Sequence, residues 1–404
     1  MLQPLRSLRF ALALVTASAP LLLAGGGGGD DAAEGGGGGD GAGNVGGSGG
    51  SGGQANACSL DAELGAPLDL PKDAWTWVDV PESLCMNGEA TGIAVNPSST
   101  SNKVAIVLMG GNACFNTASC AVTANRNGYN QTEWDADADN VRMAQFFDRA
   151  DADNPLKDFS FVFVPYCSGD VHAGNKAGEM VGGSVRTFNG SNNMTAYLKR
   201  LVPTFADAEQ ILLTGVSAGG FGAAMNYDKV ASAFCNTDVV LIDDSGPPMG
   251  EEYLAACLQQ HMVDTWGLDT TLPDDCADCR PANGAFAEPF VKYLITKYAD
   301  RTLGVISSEG DSTISQFWSF GENDCANING LPGSYAASKY KAGLEDLRDR
   351  IVGSAAGNFG LFMVPGTEHV FLDNDPTSVV VNGVTLKDWL IQALNNDPAF
   401  GNVP

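Results

Sequence analysis

One short motif has the composition and spacing of a nucleophile. Residues 215–219 read Gly-Val-Ser-Ala-Gly, directly after an apolar run at 211–214 and before a helical pattern at 222–233. A serine on a tight turn between a strand and a helix projects its hydroxyl, and the flanking glycines leave room for the turn. Ser217 is therefore the predicted nucleophile of an acyl transfer. The alternative is a glycine-rich turn that only packs a helix on a sheet.

A serine hydroxyl attacks well only when a neighbouring base removes its proton. The chain has three histidines, His172, His261 and His369. In strand-turn-helix hydrolases the chain order is serine, then acid, then histidine. His172 precedes the serine, and His261 lies in a polar, cysteine-containing segment. His369, beyond the last strand candidate, is therefore the predicted base.

A carboxylate must bind the far nitrogen of that imidazole, to set its tautomer and stabilise its charged form. Asp311 follows a strand candidate at 302–306, within Glu-Gly-Asp-Ser, and is the predicted acid. Asp243 and Asp244, at the end of the preceding strand candidate, are the alternatives. Acidic residues at such positions also cap turns.

Donors for the developing oxyanion are predicted at two places. The early strand candidate 104–109 ends in Gly110 and Gly111, and glycines let backbone N–H groups approach a substrate carbonyl. The second place is the N–H of Ala218, beside the nucleophile. Elsewhere in a protein a Gly-Gly pair would be an ordinary turn.

These residues need a scaffold of strands alternating with helices. Short runs of continuous apolar, β-branched character predict strands buried on both faces, at 104–109, 159–164, 211–214, 239–242, 302–306 and 360–364. Apolar residues at helical spacing predict helices at 193–201, 222–233, 289–298, 335–351 and 386–394. This alternation indicates an α/β fold with a mainly parallel central sheet, whose site lies beyond the carboxyl ends of the strands.

Length and charge narrow the function classes. The 404 residues, 44% hydrophobic and 17% charged, suffice for a sizeable core, and residues 57–404 are the predicted catalytic domain. The formal net charge of −26 would repel a phosphate backbone, so nucleic acid is not an expected partner.

The first residues predict export. Arg6 and Arg9 precede an apolar run that is too short and too interrupted to span a membrane, so residues 1–24 are interpreted as a signal peptide. A lipoprotein signal would need cysteine where Gly26 stands, which favours secretion over lipid anchoring. The glycine-rich residues 25–56 are interpreted as a disordered linker.

Ten cysteines in an exported chain favour disulfides. Cys276 and Cys279 form a CxxC that could serve redox chemistry or half of a zinc site. The chain has no second CxxC, so structural bridging is the preferred interpretation. No metal and no cofactor are expected.

Several segments together resemble the pectin acetylesterase and Notum-type carboxylesterase family. They are Leu-Cys-Met-Asn-Gly at 84–88, Met-Gly-Gly-Asn-Ala-Cys-Phe-Asn at 109–116, Pro-Tyr-Cys-Ser-Gly-Asp at 165–170, and 215–220 followed by Asn-Tyr at 226–227. Asp311, with a glutamine five residues on, and His369 are weaker matches. The resemblance spans most of the chain after the glycine-rich segment.

The resemblance implies an α/β-hydrolase fold and metal-independent hydrolysis of carboxylic esters. It implies a triad of Ser217, Asp311 and His369, with Gly110, Gly111 and Ala218 around the oxyanion, and disulfides joining Cys85 to Cys167 and Cys114 to Cys120. Asn112, Ala113 and Tyr166 are expected at the substrate pocket. The family usually has glutamate before the paired glycines and tryptophan soon after, whereas this chain has Met109 and Asn112-Ala113.

Three functions remain open on this evidence. The first is an esterase that removes O-acetyl groups from an extracellular polysaccharide. The second is a carboxylesterase for longer acyl chains, lipids or aliphatic polyesters, which would need apolar volume beside Asn112 and Ala113. The third is a surface binding protein that kept the fold without catalysis.

Overall fold

A computed structural model of the chain describes Cys58, Leu60 and residues 62–143, 145–353 and 358–404. The predicted signal peptide and linker lie outside the described residues. No helix in the part of the chain that the structure describes is long and apolar enough to cross a membrane.

The strands are β1 (Thr76–Leu84), β2 (Ala90–Asn96), β3 (Lys103–Leu108), β4 (Ser160–Val164), β5 (Lys176–Val181), β6 (Ser184–Phe188), β7 (Gln210–Val216), β8 (Asp238–Asp244), β9 (Leu303–Ser308), β10 (Phe359–Val364), β11 (Val380–Val381) and β12 (Val384–Thr385). Eight of them form the central sheet, in the order β1-β2-β4-β3-β7-β8-β9-β10. Strands β1 and β2 pair antiparallel, as do β2 and β4, and the pairs from β4 through β10 are parallel. Two hairpins, β5–β6 and β11–β12, lie outside this sheet.

Helices cover both faces of this sheet. They are α1 (Thr117–Val122), α2 (Gln131–Met143), α3 (Gly190–Thr204), α4 (Ala218–Ala233), α5 (Ala256–Trp266), α6 (Ala287–Lys297), α7 (Ser312–Trp318), α8 (Glu322–Cys325), α9 (Ala337–Asp346) and α10 (Leu386–Leu394). A π-helical turn, Leu347–Val352, continues α9.

Alternation along each central strand explains the two-sided burial. On β7, Ile211 and Leu213 belong to one core cluster and Leu212 to the other. The first cluster includes residues of α3, α4, α6 and α9, and the second includes residues of α2 and α10. Both faces are apolar because successive side chains point to opposite faces of a sheet that is covered on both.

The six predicted strands are confirmed as β3, β4, β7, β8, β9 and β10, and the five predicted helices as α3, α4, α6, α9 and α10. Strands β1 and β2 were not predicted. They form the antiparallel edge of the sheet, where β1 mixes exposed and buried residues and so lacks a continuous apolar run. The segment that holds His261 is the helix α5.

All ten cysteines are paired. Cys85–Cys167 and Cys114–Cys120 are the pairings that the resemblance implies. The others are Cys58–Cys235, Cys257–Cys325 and Cys276–Cys279. The two cysteines of the CxxC therefore form a disulfide with each other.

Candidate active site

Ser217 sits on a strained turn between β7 and α4. Its backbone has φ 59° and ψ −122°, an unusual conformation for a residue with a side chain. Such a conformation costs about 1–3 kcal/mol and persists only where the surroundings enforce it. Here the Ser217 N–H donates to the Asp244 carbonyl at 2.7 Å, and α4 begins at the next residue.

The glycines of the motif are sterically required. A Cβ on Gly215 would collide with the Gly219 carbonyl, and a Cβ on Gly219 would collide with the Leu108 carbonyl of the neighbouring strand. The turn can therefore approach β3 only without side chains at these positions.

The predicted oxyanion residues lie against this turn. A Cβ on Gly110 would come within 2.9 Å of the Ser217 Cβ, so Gly110 packs directly beside Ser217. Gly111 has φ +153°, and a side chain there would meet Ala124 and Tyr166. Among the described residues, the backbone N–H groups of Gly110 and Gly111 have no protein acceptor.

Asp311 and His369 form a direct hydrogen bond. The His369 Nδ1 lies 2.7 Å from Asp311 Oδ2, and the carboxylate is fully buried while the imidazole is 19% exposed. Asp311 also caps α7, because its Oδ1 accepts from the N–H groups of Thr313 and Ile314 at 2.9 Å each. Both carboxylate oxygens therefore have assigned partners.

The loop that carries His369 is tied to the end of β8. Asp244 Oδ2 accepts from the N–H groups of Phe371 and Leu372 at 2.7 and 2.8 Å, and Ser245 Oγ accepts from Val370 N–H at 3.2 Å. Because the Asp244 carbonyl also binds Ser217 N–H, one residue anchors both loops. Asp244 was predicted as an alternative acid or a turn-capping carboxylate, and its hydrogen bonds to the His369 loop were not predicted. The signal for its anchoring role is a carboxylate and a hydroxyl directly after a buried strand.

Asp243 and Asp244 differ from Asp311 in their surroundings. Burial raises the pKa of Asp244 to about 6, against the lowering effect of its hydrogen bonds. Burial and the neighbouring Asp244 raise the pKa of Asp243 well above its usual range. The Gly246 N–H faces the Asp243 carboxyl but lies outside normal hydrogen-bond geometry. Neither side chain binds His369.

Ser217 and His369 do not form a hydrogen bond with each other. Among the described residues, neither Ser217 Oγ nor His369 Nε2 has a protein partner. Both follow parallel strands of one sheet, so both lie at its carboxyl edge.

Ser217 lines a cavity whose wall is mostly apolar. Apart from the serine, its polar side chains are Asn112 and Gln259, whose amides bind backbone groups: Asn112 Nδ2 donates to Val122, while Gln259 donates to Leu254 and accepts from Ala287. The rest of the wall is mostly apolar and includes Ala113, Phe221, Ala224, Leu254, Met262, Trp266, Phe286, Phe290, Ile314, Phe317 and Trp318. The interior therefore offers dispersion contacts and few free polar groups.

The predicted pocket residues separate in the structure. Asn112 and Ala113 line the cavity, but Tyr166 is not part of its wall. Tyr166 is fully buried behind Gly111, with its ring 4.9 Å from the ring of His172. Tyr166 follows β4 and lies under residues 109–111, the predicted oxyanion loop, two strands away from the strand that leads to Ser217.

Comparisons with known proteins agree with this fold and these motifs. The family model for pectinacetylesterase matches residues 75–300. Among curated proteins, palmitoleoyl-protein carboxylesterase notum2 of Xenopus laevis is 29% identical over 151 residues, covering 37% of this chain and 30% of that protein. Pectin acetylesterase 5 of Arabidopsis thaliana is 24% identical over 230 residues, covering 53% of this chain and 52% of that protein. The chain thus matches about a third to a half of the length of these relatives.

A solved structure of the Wnt deacylase Notum from Drosophila superposes with a TM-score of 0.56 at 17% identity, covering 81% of this chain and 95% of that one. This likeness confirms the α/β-hydrolase fold. Because the family model covers more than half of the chain, and the sequence resemblance agrees with it, this protein belongs to the pectinacetylesterase family.

Proposed function

We propose that this chain is a serine carboxylesterase in which Ser217 is the nucleophile, His369 the general base and Asp311 the orienting acid. The observation that carries the proposal is the 2.7 Å Asp311–His369 bond at the sheet edge that also holds the strained Ser217 turn. With Nδ1 bound to the carboxylate, Nε2 is left to take the serine proton. Hydroxyl–imidazole contacts of this kind often tighten only when substrate binds.

The reaction then follows from these positions. Ser217 Oγ attacks the ester carbonyl and its proton passes to His369 Nε2. The carbonyl oxygen becomes an oxyanion held by the N–H groups of Gly110, Gly111 and Ala218. Collapse expels the alcohol with the proton from His369, and a water molecule, activated by the same imidazole, releases the acid.

The cavity favours an acyl group with an extended apolar chain. Asn112 Nδ2 and both polar atoms of the Gln259 side chain are engaged with backbone groups, so an apolar chain that enters the cavity breaks none of these hydrogen bonds. Each methylene moved out of water contributes about 0.8 kcal/mol. The palmitoleoyl-protein carboxylesterases among the relatives act, by their name, on a long acyl chain.

Removal of acetyl groups from an extracellular polysaccharide is the second candidate. It is supported by the pectinacetylesterase family model and by the Arabidopsis pectin acetylesterase. The net charge of −26 favours a neutral polysaccharide over an anionic one, because a polyuronate would be repelled.

We place the catalytic domain at residues 57–404 and the protein outside the cell. Five disulfides support an oxidising compartment, and the proposed signal at residues 1–24 supports export.

Labelling by a fluorophosphonate probe tests the serine mechanism. The wild type should be labelled with loss of fluoride, and Ser217→Ala should not. An unlabelled wild type that is folded would favour the non-catalytic binding protein. Labelling that survives in Ser217→Ala would assign the nucleophile to another residue.

A series of nitrophenyl esters from acetate to decanoate tests the acyl group. We expect kcat/KM to rise about fourfold per methylene until the cavity is full, the equivalent of about 0.8 kcal/mol. Ala224→Phe, which fills part of the cavity, should lower octanoate turnover by more than about tenfold and leave acetate within about threefold. A steady fall from acetate onwards, with turnover of acetyl-xylan, would establish the deacetylase instead.

A further inference from the structure

The turn at Val171 and His172, beyond β4, has a strained backbone, and neither of these residues is glycine. Val171 and His172 both have positive φ, 50° and 59°, and a β-branched residue is especially unfavourable there. The turn is held from several sides: Val171 N–H donates to Tyr166 Oη at 3.1 Å, and Asn226 Nδ2 donates to the His172 carbonyl at 2.8 Å. Backbone strain that is enforced in this way concentrates at functional sites.

The strained turn places the His172 imidazole against the oxyanion loop. His172 Nε2 lies 2.9 Å from the Met109 carbonyl, and the side chain is buried between this loop and Gly222 of α4. Burial lowers the pKa of His172 to about 4, so the ring is neutral near pH 7 and carries a single N–H. That proton must be on Nε2, because a carbonyl oxygen only accepts.

The contact of His172 with the Met109 carbonyl also fixes the direction of the Gly110 N–H, because both groups belong to the same peptide unit. A trans peptide is planar, with its C=O and N–H pointing to opposite sides. When His172 holds the Met109 carbonyl, the Gly110 N–H must point away from His172. Gly110 packs beside Ser217, and the Gly111 carbonyl, two residues after that of Met109, accepts a hydrogen bond from the Ala124 N–H at 2.8 Å.

We propose that His172 is a positioning residue, which orients the Gly110 N–H toward the oxyanion by donating a hydrogen bond to the Met109 carbonyl. This role rests on the proposed esterase function. His172 does not line the cavity, so it acts through the loop and not on the substrate.

The test uses two variants of similar length. His172→Gln keeps an N–H donor near the position of Nε2, whereas His172→Met has none. Since loss of a whole oxyanion donor lowers kcat by about 10²–10³, misorientation in His172→Met should lower kcat by about 10- to 100-fold with little change in KM. His172→Gln should restore most of the rate.

An inhibitor pair separates transition-state binding from ground-state binding. With a trifluoromethyl ketone, Ser217 Oγ adds to the carbonyl carbon, its proton passes to His369, and the ketone oxygen becomes the oxyanion. His172→Met should weaken this inhibitor by about 10- to 100-fold and the corresponding secondary alcohol by less than about threefold.

His261 provides the matched control. Its Nε2 lies 2.8 Å from the Phe115 carbonyl, outside the oxyanion loop. His261→Gln and His261→Met should stay within about threefold of the wild-type kcat. Equal losses in His172→Met and His261→Met, or no rescue by His172→Gln, would overturn the positioning role while the wild type remains an active, labelled esterase. A wild type that no fluorophosphonate labels would overturn the esterase function, and this role with it.

Discussion

Asp311→Asn is the sharpest test of the site, because the structure dictates how the new amide must lie. In the wild type, Oδ1 accepts from the N–H groups of Thr313 and Ile314, and Oδ2 accepts from His369. If the amide turned its NH₂ toward the two backbone donors, both would lose their acceptor. Each unpaired buried donor costs about 1–3 kcal/mol, so the oxygen should stay at the helix end.

The amide NH₂ then faces His369 Nδ1, which must become an acceptor. The imidazole proton is forced onto Nε2, the atom that has to receive the serine proton. We expect kcat to fall about 10⁴-fold, which corresponds to about 5.4 kcal/mol of barrier. The free energy of unfolding should change by less than about 1 kcal/mol, since asparagine caps a helix as well as aspartate.

Steady-state turnover of the best nitrophenyl ester measures the first quantity and urea unfolding measures the second. Asp243→Asn and Asp244→Asn are the matched variants, since both are buried carboxylates at the end of the neighbouring strand. Asp311→Asn with more than a tenth of wild-type kcat would refute the assignment. A 10⁴-fold loss in either matched variant alone would move the acid to that residue.

Three further predictions follow from buried contacts. Because the pKa of Asp243 is raised in the folded protein, the native state holds a proton that the unfolded chain releases above about pH 4. The free energy of unfolding should therefore fall as pH rises from about 4 toward the folded-state pKa. Asp243→Asn should reduce this dependence in urea titrations, and the remaining dependence should come from Asp244, whose pKa is also raised. Removing the disulfide Cys257–Cys325, whose partners are 68 residues apart, should lower the free energy of unfolding by about 4 kcal/mol in chemical denaturation. Removing Cys276–Cys279, whose partners are 3 residues apart, should lower it by about 2 kcal/mol. Equal losses would contradict an explanation by the entropy of the unfolded chain. Asp244→Ala should lower kcat by more than about tenfold, because it frees the loop beside His369, whereas Asp244→Asn retains an acceptor and should lose less.

Much of the fold could be predicted because its central strands carry a local signal. A strand buried on both faces is apolar throughout, so β3, β4 and β7 to β10 were visible as continuous runs. Strand β1 and helix α5 mix exposed and buried residues, and neither they nor the short strand β2 were predicted. The Ser217 turn could be predicted because the features that define it lie within a few consecutive residues: a strand, small neighbouring residues and a helix.

Contacts between distant parts of the chain are what the sequence alone left open. Three carboxylates were candidates for the residue that binds the imidazole. Only the tertiary structure places Asp311 against His369, 58 residues away, and shows that Asp244 binds the backbone next to His369. The contact of His172 with Met109 spans 63 residues and has no local pattern. The depth of the cavity depends on helices from separate segments.

The amino-acid sequence alone establishes the class of the sheet, the turn that holds Ser217 and the family, because each of these depends on short-range composition and spacing. The tertiary structure alone decides which carboxylate binds the His369 imidazole, which side chains hold the loops that contain His369 and Met109, and how apolar the cavity is. The reason is physical: hydrogen bonds and cavity walls form between groups that the folded backbone brings together, and their strength depends on burial that no single segment determines.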